Sequence, residues 1–286
     1  MTDLTPLTFT RLASGLQMGY VEAGPKNGKP VLLLHGFPEF HWSYRFQWPA
    51  LAQAGFRIIV PDQRGYNLTD KTPPYDLDTL ARDIAELQAA LGIGQSHIVG
   101  RDWGGVVAYA FAHRYPERVH KLVVMNAPHI NAYLDAIRAG NLTQMRKSWY
   151  VYAFQVPVLP EAAFARHDFE LIERAFSRLK HVTPDDIARY KDAHRQPGAL
   201  TAMIGWYRAL MQWMVRYSFQ PPVEPVRAPT QVIWGKRDLA LDFRINDTLA
   251  RYVPDVRIAS ILGASHWVQM DAPERVNELL LSFLKP

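Results

Sequence analysis

A mostly parallel eight-stranded α/β sheet, flanked by helices and interrupted by an inserted helical cap, is the architecture this chain predicts. Three observations predict it. Short apolar runs recur with helical patterns between most of them, the alternation of a parallel sheet covered on both faces. One run leads through Gly100-Arg101-Asp102-Trp103-Gly104-Gly105 into an amphipathic stretch from Trp103 to Tyr115, so strand, tight turn and helix fill one short segment. The alternation then breaks between Met125 and Pro229, a mainly helical stretch rich in Tyr, Trp, Met and Arg.

Taken in order, residues Phe9 to Ala23 read as two antiparallel edge strands. Val31–Leu34 is apolar throughout, as a strand buried on both faces must be, and the turn His35-Gly36-Phe37-Pro38-Glu39 follows it. Further strands are expected at Arg57–Val60, His97–Val99, Leu122–Met125, Thr230–Trp234 and Val256–Leu262, with a C-terminal helix starting near Pro273. Pro221-Pro222, then Pro225 and Pro229, punctuate the return from the helical stretch. The expected division is a core of residues 1–130 and 222–286 with a cap of residues 131–221. No internal repeat or low-complexity segment is present.

Composition bounds the function. A chain of 286 residues can bury a substantial core, and 48% hydrophobic with 21% charged residues is ordinary for a globular protein. A net charge of +5 could suggest nucleic acid, but the 32 basic residues are interleaved with 27 acidic ones, so no nucleic-acid partner is expected. No stretch is long enough to span a membrane and Met1 to Arg11 lacks a signal-peptide profile, so no membrane partner and a cytoplasmic location are expected. Cysteine is absent, which excludes disulfides and thiol catalysis. No metal-ligand spacing or phosphate-binding loop appears, and the expected cofactor is none.

The segment around Asp102 carries the chemistry. Small residues two places before and after it let the backbone turn sharply and push one side chain up at the C-terminal edge of the sheet. Alone, the pattern also fits a phosphate loop, a dinucleotide turn or an ordinary helix cap. At the raised position a carboxylate is ionised at neutral pH and can displace a leaving group from carbon without a base to activate it. The turn after Leu34 exposes backbone N–H groups nearby, and those of Phe37 and Trp103 are the expected oxyanion hole. His35 itself reads as structural. Val232-Ile233-Trp234-Gly235-Lys236-Arg237-Asp238 ends a strand on a carboxylate, and Leu262-Gly263-Ala264-Ser265-His266-Trp267 puts a histidine after the last strand. Nucleophile, acid and histidine then follow in the order this elbow architecture uses. The expected triad is Asp102, Asp238 and His266.

These pieces, with Asp62-Gln63-Arg64-Gly65-Tyr66 and Gln269-Met270-Asp271, resemble the α/β-hydrolase fold family over almost the full length. The chain is most similar to the soluble epoxide hydrolases within the epoxide hydrolase and haloalkane dehalogenase group. That resemblance implies an enzyme that opens epoxides to vicinal diols through an alkyl ester on the aspartate, with a small apolar epoxide and water as partners. It also implies two cap tyrosines that stabilise the leaving oxygen. Their matching positions are Tyr150, upstream of Phe154-Gln155-Val156-Pro157, and Tyr207 in Trp206-Tyr207-Arg208. Tyr152 reads as core packing instead. Phe37, Trp103, Trp149, Phe154 and Trp267 are the expected pocket.

The same aspartate could serve a haloalkane dehalogenase, with indole N–H groups of Trp103 and Trp149 on the halide. Phe37 after His-Gly, and the lack of a carboxylate in Met125-Asn126-Ala127, depart from many such enzymes. A binding protein that kept the fold and lost the reaction is a remoter alternative. Two positions depart from the epoxide hydrolase pattern. Arg101 stands where relatives usually show His, and either lowers the Asp102 pKa or, the favoured structural reading, pairs with a surface carboxylate. Asn67 replaces a Gly, but Asn also tolerates positive φ. The oligomeric state is not legible.

Overall fold

The computed structural model describes residues 6–217 and 224–285, so Pro221-Pro222 lies outside the described residues. Eight strands form one sheet: β1 (Thr8–Arg11), β2 (Gln17–Ala23), β3 (Pro30–Leu34), β4 (Arg57–Pro61), β5 (Ser96–Arg101), β6 (Val119–Met125), β7 (Thr230–Gly235) and β8 (Val256–Ile261). Their order is β1-β2-β4-β3-β5-β6-β7-β8. β1 and β2 pair antiparallel, β2 joins β4 antiparallel, and every later pairing is parallel. The chain steps outward from β3 to β4, then crosses back to β5 on the other side of β3. That reversal opens a crevice at the C-terminal ends of β3 and β5, the place where open α/β sheets bind ligands.

The helices are α1 (Trp48–Gln53), α2 (Leu77–Ala90), α3 (Trp103–Arg114), α4 (Ile130–Arg138), α5 (Leu142–Lys147), α6 (Trp149–Ala153), α7 (Leu159–Phe176), α8 (Pro184–Arg195), α9 (Ala199–Arg216), α10 (Val268–Asp271) and α11 (Pro273–Leu284). Their ends follow local chemistry. The Asp76 carboxylate accepts the Thr79 N–H at the start of α2. Thr183 and Asp186 form a reciprocal capping box at α8, with Pro184 in the first turn.

The run Val31–Leu34 is apolar because successive side chains enter opposite cores. Leu32 and Leu34 pack with Ile98 and with Leu80, Ile84, Val107 and Phe111 of α2 and α3. Val31 and Leu33 pack with Val99 and with Leu51, Val276 and Leu280 of α1 and α11. Each such side chain contributes about 1.5–3 kcal/mol by leaving water. Helices α4 to α9 occupy the chain between β6 and β7. A third apolar cluster anchors them: Phe169, Ile172, Phe176 and Tyr190 from α7 and α8 meet Phe40 after β3 and Met270 of α10.

Candidate active site

Asp102 sits between β5 and α3 at φ 51° and ψ −122°, a conformation that L residues rarely adopt and that costs about 1–3 kcal/mol. The positions two residues before and after it must be glycine. A Cβ on Gly100 would lie 2.2 Å from the Gly104 carbonyl oxygen, and one on Gly104 would lie 2.0 Å from the Leu34 carbonyl oxygen. The Phe37 N–H donates to Asp102 Oδ1 at 2.7 Å. Trp103 is the first residue of α3, where an N–H has no intrahelical acceptor. Of the two expected donors, the Phe37 N–H meets the carboxylate directly, and the Trp103 N–H is free of a helical partner.

His266 reaches the other oxygen, with Nε2 3.3 Å from Asp102 Oδ2. Its Nδ1 lies 2.8 Å from Asp238 Oδ2. Asp238 is fixed in turn: Oδ1 accepts the N–H groups of Ala240 (2.7 Å) and Leu241 (2.9 Å), and Oδ2 accepts the Asn126 amide at 2.6 Å. Sequence reasoning missed Asn126. Its φ of 41° and its bonds to both the N–H and C=O of Gly235 let it brace the end of β7 from the end of β6.

The electrostatics separate the three groups. Burial pushes the Asp102 carboxyl up, but the His266 hydrogen bond, the Arg101 and His266 charges and the Phe37 N–H together hold it below its ordinary value. Burial acts likewise on Asp238, and His266, Asn126 and the Leu241 N–H again bring the net shift down. Burial would lower His266, yet Asp238 and the bonds to both aspartates leave it raised despite Arg101.

Arg101 does not meet a surface carboxylate. It is fully buried, and its Nη1 donates to the equally buried Glu39 at 2.8 Å. Its Nη2 (3.0 Å) and Nε (3.3 Å) donate to the His266 carbonyl. Glu39 also accepts from Gln269 (2.9 Å) and the Gly36 N–H (3.3 Å). One buried cation thus joins the loop after β3 to the loop carrying His266. The favoured surface pairing fails because the sequence does not show Glu39 turned inward. His35 is buried too, accepting the Gln63 N–H at 3.0 Å.

Tyr150 and Tyr207 meet over the crevice, their ring centroids 5.9 Å apart. The motifs around them lock each other: Arg208 Nε donates to the Phe154 carbonyl (2.9 Å) and Gln155 to the Tyr207 carbonyl (3.3 Å). Burial, then the Asp102 charge, raises both phenols above their ordinary value, while the Trp103 indole acts weakly against this at Tyr207. Both are O–H donors at neutral pH.

Two cavities share Asp102, Tyr150 and Tyr207. One of about 530 Å³ includes Phe37, Trp149, Phe154, Trp267 and His266 in its walls. The other, about 170 Å³, is walled by Trp103 with Tyr133, Leu210, Met211 and Met214. The expected pocket residues are thus divided between two chambers. Tyr152 is 65% exposed at the rim of the smaller one, which corrects its reading as core. Asn67 has φ 44°.

The residues from 29 to 273 match the model of the alpha/beta hydrolase fold family. The chain belongs to the α/β hydrolases. This hydrolase is 37% identical over 278 residues to the AB hydrolase superfamily protein YfhM of Bacillus subtilis (strain 168), covering 95% of this chain and 96% of that protein. It is 36% identical over 285 residues to human epoxide hydrolase 4, covering 95% of this chain and 76% of that protein. The crystal structure of the Bacillus megaterium epoxide hydrolase with an inhibitor superposes on the hydrolase with a TM-score of 0.88 at 29% identity, over 97% and 99% of the two chains.

Proposed function

We propose that this hydrolase opens apolar epoxides to vicinal diols through an ester on Asp102. The observation that carries the reading is the meeting of Asp102, Tyr150 and Tyr207 at the junction of two apolar cavities. The epoxide hydrolase relatives support it. Residues 131–221 act in this reading as the cap and residues 1–130 and 222–286 as the core.

Asp102 Oδ2 attacks an epoxide carbon, the carbon–oxygen bond breaks, and the departing oxygen takes a proton from one of the two phenols. Negative charge leaves the carboxylate in this step, which removes a cause of the high phenol pKa just as the proton is needed. The same loss weakens the hold of Asp102 on the His266 proton. Neutral His266, oriented through Nδ1 by Asp238, then takes a proton from water. The hydroxide adds to the ester carbonyl, whose oxygen (Oδ1) gains charge beside the Phe37 and Trp103 N–H groups. Each such donor is worth about 3 kcal/mol in the transition state. Collapse breaks the ester bond, His266 gives its proton to the leaving alkoxide and the diol departs; the proton left on the Asp102 carboxyl returns to the phenolate, restoring both groups. The two chambers give each side of the epoxide its own space. Trp149, 68% exposed, is poorly placed to shield a halide, which favours the epoxide over the dehalogenase reading.

His266→Gln, incubated with an aryl epoxide, should accumulate a protein adduct of one substrate mass by intact mass spectrometry. Removing both phenols (Tyr150→Phe with Tyr207→Phe) should slow alkylation by roughly two to four orders of magnitude. No adduct in His266→Gln while wild type turns over would defeat the covalent route. Halide release from haloalkanes that ignores the tyrosines would make the protein a dehalogenase.

A further inference from the structure

Among the described residues fourteen large apolar side chains are exposed, and six lie on segments that neighbour one another: Met145, Trp149, Val158, Leu159, Leu239 and Leu262. Exposed apolar side chains on adjoining segments mark an interaction site. The bonding shows that the segments are adjacent. Lys147 Nζ donates to the carbonyls of Asp238 (2.6 Å) and Leu241 (3.0 Å), and Gln144 to that of Ala240 (3.3 Å), fastening α5 onto the loop that carries Leu239. Trp149, Leu159 and Ala240 line the larger cavity together. The N–H groups of Lys236 and Arg237 donate to Ile261 (3.0 Å) and Ala264 (2.9 Å), which brings Leu262 alongside.

Four cations on this face, Arg146, Lys147, Lys236 and Arg237, have no carboxylate within ion-pair distance among the described residues. The nearby acids are already taken: Glu161 by Arg208, Asp242 by Arg244 and Asp238 by His266. Apolar tips interleaved with uncompensated cations match a sheet of anionic headgroups over hydrocarbon. A second copy of the same face would instead set cation against cation.

We propose that this face docks on an anionic lipid surface, with Val158, Leu239 and Leu262 entering the interface and Arg146, Lys236 and Arg237 against the headgroup phosphates. The mouth of the larger cavity then opens onto the bilayer, where an apolar substrate concentrates. No helix among the described residues is long and apolar enough to cross a membrane, so the contact is peripheral. The role of the mouth rests on the function proposed above, but lipid binding is measured without turnover, so the two can fail separately.

The test is flotation of the full chain with vesicles of phosphatidylcholine alone or mixed with phosphatidylglycerol, at low and high salt. Wild type should float with the mixed vesicles, and salt should weaken the association. Arg146→Glu with Arg237→Glu should weaken it at least roughly thirtyfold. Val158→Asp with Leu262→Asp should abolish it, while thermal unfolding shows that both variants stay folded. Failure of wild type to float with either vesicle, or equal flotation of the variants, would overturn the proposal. So would a dimer in solution that Val158→Asp with Leu262→Asp dissociates, which would assign the face to a second copy.

Discussion

Arg101 ties the loop after β3 to the loop carrying His266. It and Glu39 are both 0% exposed, so the loss of one strands the charge of the other. Removing one partner of a buried pair costs about 3–5 kcal/mol, more than the pair contributes over an apolar replacement. Arg101→Met should therefore destabilise by about that amount in denaturant unfolding. Adding Glu39→Gln should recover part of the loss, because burial already pushes the Glu39 carboxyl up and an amide needs no counter-charge. Costs of the two single changes that simply add in the double variant would refute the pairing. The grouping of Asp102, Asp238 and His266 was legible at residue scale because each follows a strand run. The Arg101–Glu39–Gln269 links were not, since they join side chains 62 and 230 positions apart and leave no local pattern. Asn126 was overlooked for a related reason. It was weighed only as a missing carboxylate, and its amide role depends on β6 lying beside β7.

At the scale of elements, the elbow tolerates no added atom. Gly104→Ala would press a methyl into the Leu34 carbonyl at 2.0 Å, and backbone at the junction of β3 and α3 has no room to yield. Overpacking of this kind typically costs about 1–3 kcal/mol, and the displaced Asp102 should lose its Phe37 N–H. Gly263→Ala is the matched control, since nothing lies within 4 Å of its added Cβ. Denaturant midpoints and epoxide turnover should both fall for Gly104→Ala and stay near wild type for Gly263→Ala. Equal midpoints would show that the elbow can relax. Strand positions were readable here because Val31–Leu34 and its parallel neighbours are buried on both faces, and burial on both faces writes an unbroken apolar run. The break in α7 was not readable. Arg166, His167, Asp168 and Phe169 leave helical geometry with no glycine or proline to mark it. Its partners are distant: Phe169 packs with Phe40, Tyr190 and Met270, and Asp168 pairs with Lys191 and Arg195 of α8.

For the molecule as a whole, buried histidines set the response to acid. Burial lowers His35 and His194 from 6.5 to about 4, and burial with neighbouring positive charge lowers His97 and His129 to about 3. A group whose pKa is depressed in the fold binds its proton in the unfolded chain first. Stability is therefore lost as pH falls below 6.5, by about 1.4 kcal/mol per pH unit for each such histidine. His266 works the other way: raised in the fold, its contribution is complete below 6.5 and lost as pH rises through its folded value. Asp102 and Asp238, held low, lose theirs only below the ordinary carboxylate value of 3.8. Between pH 6.5 and 4 the four histidines act against the raised carboxyls of Glu39 and Asp83, and outnumber them. The histidines lie in different layers, in the crevice, on β5, beside α4 and on α8, so protonation loosens the molecule everywhere at once. With a total stability of about 5–15 kcal/mol, unfolding should be well advanced by pH 4. His97 offers the sharpest check. Both its ring nitrogens are buried without partners, and its ring packs edge-on against Phe56 and stacks on His120. His97→Phe keeps that packing and removes the titration, so the melting temperature should fall less steeply from pH 7 to pH 5 than in wild type. A wild-type melting temperature that stays level over that interval would mean that these histidines take up protons without opening the fold.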